Sequence, residues 1–118
     1  MKFVETTYTN KKEILKFPDH YVNLAVTVDD TGVTANEEGK KIVPAGTILG
    51  GGVLADQSKK AVKANGATAE GVLFEDTDVT YGPASAAMLI HGFVDLSKLP
   101  EAPTAEAAAA LKQVTFLK

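Results

Sequence analysis

The sequence predicts a mainly β fold: a small β-barrel or sandwich with one short C-terminal helix and an extended N-terminal arm. Three observations carry that expectation. Short apolar runs recur between corners rich in Gly, Asp and Pro, the spacing of an all-β domain. Residues 21–28 alternate cleanly, with Val22, Leu24, Val26 and Val28 on one face and Tyr21, Asn23, Ala25 and Thr27 on the other, as in a half-buried strand. Only one stretch, near the C-terminus, has the composition of a helix.

The chain has 118 residues, of which 45% are hydrophobic and 23% charged. That balance supports one domain with one modest core and is too apolar for a disordered chain. A net charge of -3 gives no basic footprint, so nucleic acid is not expected as a partner. The lysine pairs at 11–12, 40–41 and 59–60 read as solvated turns. Cysteine is absent, which removes disulfides, thiol catalysis and cysteine-ligated zinc, and fits a reducing compartment. The first residues lack the apolar core of a signal peptide, and no run approaches the ~18 apolar residues of a membrane helix. Synthesis in the cytoplasm and no membrane partner are the expectation.

Residues 1–19 differ from the rest, and the expected division is an extended arm over 1–19 followed by a single β-rich domain over 20–118. Phe3, Val4, Thr6 and Tyr8 lie in a β-prone piece, and Ile14, Leu15 and Phe17 follow after a polar break. A terminal strand with no sequence neighbour pairs either with its own domain's sheet edge or with a partner's.

Asp29-Asp30-Thr31-Gly32 ends the first strand as a turn. A short strand is expected over 33–35 and an extended piece over 40–43, since Pro44 biases the preceding residue toward β. Pro44-Ala45-Gly46-Thr47 reads as a type II turn with Pro at its first inner position and Gly at its second. The adjacent glycines Gly50, Gly51 and Gly52 point to a bulge, a hinge or a close backbone approach. Strands are expected over 61–64, 71–74 and 79–80. Residues 86–94, apolar on both parities except at His91, predict a central strand covered on both faces. Thr104 is the expected N-cap of a helix over 105–111, with Glu106 near its positive end, and 114–117 a closing strand.

Candidate chemistry is sparse. Ser58, Ser85 and Ser97 lack a nucleophile elbow. His91, beside Gly92, reads as a hydrogen-bonded core or interface residue, and His20 as a loop residue; the enzymatic alternative pairs His91 with Asp78 or Asp95. The corner Glu75-Asp76-Thr77-Asp78 supplies too few oxygens for a calcium loop, leaving only a weak divalent site at Asp76 and Asp78 as an open alternative. Gly46 with Gly50–52 lacks the Gly-Lys-Ser/Thr and the following helix of a phosphate loop. No cofactor and no catalytic residue are expected.

The order Asp56-Gln57-Ser58-Lys59-Lys60-Ala61-Val62, Gly66-Ala67-Thr68-Ala69-Glu70-Gly71-Val72-Leu73, and Asp76-Thr77-Asp78-Val79-Thr80 resembles the tailed-phage head decoration proteins of the lambda D type. So does Leu89-Ile90-His91-Gly92-Phe93-Val94 followed by Leu99-Pro100. The chain is also similar to small head proteins of Gram-positive prophages. It departs from the lambda D pattern in lacking tryptophan and in carrying the long segment 21–52 ahead of the match. The resemblance implies a β-tulip-like barrel that assembles as a homotrimer, with His91 and Phe93 at the trimer interface. The trimer would seat on the outside of the expanded capsid in the virion, its arm (Phe3, Val4, Thr6, Tyr8, Ile14, Leu15, Phe17) added as a strand to the major capsid protein. The other reading is a small β-barrel that binds a ligand or carbohydrate, as in a fibre or receptor module.

Overall fold

A computed structural model describes residues 14–118. Its strands are β1 (Val22–Val28), β2 (Ile42–Val43), β3 (Ile48–Gly50), β4 (Lys60–Lys63), β5 (Gly71–Leu73), β6 (Thr77–Asp78), β7 (Ala84–Asp95) and β8 (Val114–Leu117), with one helix, α1 (Ala105–Ala110), before β8. The fold is mainly β, with one short helix. Hydrogen bonding runs β1-β4-β3-β5-β7, and β7 pairs back with β1, so the five strands close on themselves as a small barrel. β8 extends β7 in parallel, Gly92 facing Val114 and Asp95 facing Leu117. β2 and β6 form a separate antiparallel pair.

Two cores lie on opposite faces of one wall. Leu49, Leu73 and Met88 point into the barrel beside Val26, Val28, Val53 and Ala61. Their neighbours Ile48, Val72 and Leu89 point outward into a second cluster with Val94, Ala107, Leu111 and Val114. Because strand side chains alternate, a wall covered on both faces must be apolar on both parities. That is why residues 86–94 of β7 read as an apolar run interrupted only at His91.

The outer layer also contains Ile14 and Leu15, 0% and 7% exposed. Leu15 bridges Val94, Asp95 N–H donates to Ile14 O at 2.8 Å, and Lys16 N–H donates to Phe93 O at 2.8 Å. The expected boundary at residue 19 is corrected here: residues 14–16 are sewn antiparallel onto β7. A side chain this buried cannot read a partner's pocket, so Ile14 and Leu15 leave the set of arm contacts.

Other local expectations also shift. Residues 33–35 form no strand, although Val33 packs against the barrel core. The pairing expected at 79–80 falls at Thr77–Asp78 instead, because Asp78 folds the chain around Thr80. Val22 does not join the apolar face: a register shift between Val22 and Asn23 leaves it 49% exposed. In the Pro44 turn, Thr47 N–H donates to Pro44 O. Pro44 therefore opens the turn, and Gly46, at φ +91, takes the position requiring a positive φ.

One device recurs at four corners. Asp29, Asp56, Asp78 and Asp95 each accept from the backbone N–H and the hydroxyl of the Thr or Ser two residues on. These bonds favour the ionised carboxylate and hold all four below the usual carboxylate range. Thr104 caps α1 as expected, accepting from Ala107 N–H at 3.0 Å. Asn65 latches the segment before it, donating to Ala102 O and accepting from Thr104 N–H.

Candidate functional site

The C-terminal half of β7 carries His91 and Phe93, and the segment leading from the anchored residues 14–16 into β1 lies against them. Phe17 packs edge-on to Phe93, ring centroids 5.5 Å apart. His20 meets His91, Nε2 to Nε2 at 2.9 Å, with the rings at 70°. Tyr21 stacks on Phe74 at 5.2 Å and 22°. Gly92 permits this approach: a Cβ there would sit 3.3 Å from both His20 O and Tyr21 Cβ, and its φ of +153 disfavours an L side chain. The structure thus joins residues expected to act separately, Phe17 from the arm and His91 with Phe93 from the trimer surface. Phe3, Val4, Thr6 and Tyr8 lie outside the described residues.

The cluster presents an apolar surface. Phe17, Tyr21 and Val22 are 50%, 44% and 49% exposed, close together in sequence on the face that β7 supports. Adjacent exposed apolar side chains of this kind are a feature of interaction surfaces. His20 went unrecognised in the sequence because its partner lies 71 residues away; only the pairing of β1 with β7 brings the two together.

The catalytic alternatives do not assemble. Asp95 is engaged by Ser97 and Asp78 by Thr80, and neither hydrogen-bonds His91. His91 Nδ1 is buried and has no hydrogen-bond partner among the described residues. In the acidic corner, Asp76 accepts from Ala45 N–H at 2.7 Å and so fastens the Pro44 turn to β6. Among the described residues no three His, Cys, Asp or Glu side chains gather as a metal site.

The glycine corner is structural. Gly52, Val53 and Leu54 aim their backbone N–H groups at the Glu70 carboxylate, at 2.6, 2.9 and 3.2 Å. The anion-cradling geometry of successive N–H groups is filled by the chain's own side chain. The next residue, Gly71, lies so near β7 that a Cβ would meet Met88 Cγ at 2.5 Å. Ala69 is buried in the outer core. Much of the Ala-Glu-Gly-Val-Leu signature is therefore explained by packing.

A cavity of about 340 Å³ opens at one end of the barrel, between β1, β3 and β4 and the loop at Pro100. Val28, Val43, Ile48 and Leu49 line it, with Lys63 and Glu101 at its rim. Those two form an exposed ion pair at 2.6 Å, and Lys63 holds the Glu101 carboxyl below its usual range. Among the described residues no aromatic side chain lines the cavity. Among the described residues no helix is long and apolar enough to cross a membrane. No protein-family model matches the chain, and no curated protein sequence matches it.

Proposed function

We propose that this protein is a non-enzymatic component of a tailed-phage head, a trimer that binds the outside of the expanded shell and stabilises it. The observation that carries the reading is the resemblance over residues 49–100, a stretch that takes in most of β3 and all of β4, β5, β6 and β7. A second feature is in keeping with it. Residues 14–16 anchor to β7 next to an exposed aromatic surface, and the β-prone residues Phe3, Val4, Thr6 and Tyr8 precede that anchor in the sequence. Strand addition to the major capsid protein would satisfy backbone groups that expansion exposes. Three arms on one trimer multiply a weak individual contact, and a cyclic trimer matches a three-fold site.

The test is co-sedimentation with expanded and unexpanded heads. The full chain is expected to bind expanded heads only. A chain lacking residues 1–13 keeps Ile14 and Leu15; it is expected to stay folded by circular dichroism and lose binding. Equal binding to both head forms, or none to either, overturns the proposal.

The 340 Å³ cavity favours a second reading, a ligand-binding module, since barrel mouths of this size hold small molecules. Aliphatic side chains of Val28, Val43, Ile48 and Leu49 would make the apolar contacts, with Lys63 and Glu101 at the rim.

A further inference from the structure

The chain has two histidines and no cysteine, and the two histidine rings meet each other. His20 Nε2 and His91 Nε2 face each other at 2.9 Å. Along that line only one nitrogen carries a proton, and the other presents its lone pair. Two ring nitrogens converging in this way are poised for a shared cation.

We propose that His20 and His91 form a two-imidazole site for a borderline divalent transition-metal ion of the Zn²⁺ and Ni²⁺ class. Zinc binds imidazole nitrogen at about 2.0–2.1 Å, which puts two nitrogens on one tetrahedral ion roughly 3.4 Å apart. The observed separation is about half an ångström short of that. His20 supplies the adjustment: it is exposed and lies in an irregular segment between the anchor at 14–16 and β1. Its exposure leaves the remaining coordination positions open to water or to a donor from another molecule.

One ring nitrogen of His91 faces His20, and the other points elsewhere. A metal-bound imidazole donates its second N–H to a neighbouring acceptor, which fixes the tautomer. Among the described residues neither His91 Nδ1 nor Asn23 Oδ1, both buried, has a hydrogen-bond partner. These two lie on successive rungs of the β1–β7 ladder, where Val22 faces His91 and Asn23 faces Leu89 across the register shift. A donor and an acceptor, both unused, thus sit beside the same irregularity. An ion on the pair would clamp the segment ahead of β1 to β7. This inference rests on the geometry alone, independently of the head-protein reading.

The experiment is calorimetric titration of the full chain with ZnCl₂ and with NiCl₂ at slightly alkaline pH, alongside His20→Gln and His91→Gln. One ion per chain is expected, with a micromolar dissociation constant that weakens at least about tenfold in either variant. The ring signals of both histidines should shift together in NMR spectra of the wild type. Loss of the exposed His20 ring leaves the core intact, so that variant decides the matter even if His91→Gln does not fold. Binding unchanged in His20→Gln, or no binding at millimolar ion, overturns the site.

Discussion

The two faces of the β3–β5–β7 wall are built differently. The barrel interior is enclosed by strands whose hydrogen bonds close into a ring, so its packing is shared by every element of that ring. The outer layer is assembled from pieces distant in sequence: residues 14 and 15, a six-residue helix, and β8. A helix of that length has no stability of its own; it is held by Ala107 and Leu111 against the wall. The interior therefore defines the fold, and the outer layer ties residues 14 and 15, α1 and β8 onto it. The strands β3, β5 and β7 serve both.

Truncation on each side of the wall sharpens that contrast. Leu73→Ala, in the fully buried interior, is expected to cost about 2–5 kcal/mol in urea denaturation, near the top of the range because the ring cannot collapse around the gap. Ile14→Ala is expected to cost less within that range, about 2–3 kcal/mol, since the irregular segment carrying it can relax. A loss below about 0.5 kcal/mol, the size of a surface substitution, would return residue 14 to the arm. Glu70→Ala leaves three backbone donors to find water and is expected to cost about 1–3 kcal/mol. Glu70→Gln, which keeps an acceptor oxygen, should cost less.

The smallest effect is the pH dependence. The aspartates at the four corners have folded-state values depressed below their unfolded ones. Their contribution is complete above the unfolded value near pH 4 and is lost as pH falls through the depressed values. The expected outcome is a melting temperature that is flat from neutral pH to about 5 and declines below about 4. Replacing all four with Asn should flatten the acid limb. All four are exposed turns, so an acid limb as steep as that of a buried carboxylate would contradict the assignment.

Much of this fold was legible in the residues. Leu24, Val26 and Val28 alternate because one side faces the barrel interior, and β7 is doubly apolar because it is doubly covered. Thr104 announced α1 through its hydroxyl. What escaped was long-range. The Ile14-Leu15 dipeptide is too short to show a period, so nothing local distinguishes a core anchor from an arm. The register shift that exposes Val22 has no residue signature of its own. His20 and His91 acquire meaning only when the barrel closes. Phe93 was singled out, yet its edge-on packing against Phe17 depends on the same closure.

Trimeric assembly through the surface around Phe93 is the central claim, and light scattering coupled to gel filtration at high micromolar concentration tests it most directly. The expected result is a particle of three chains, shifting toward single chains when the exposed Phe17 is replaced by Ser. A protein that remains a single chain at that concentration would contradict it.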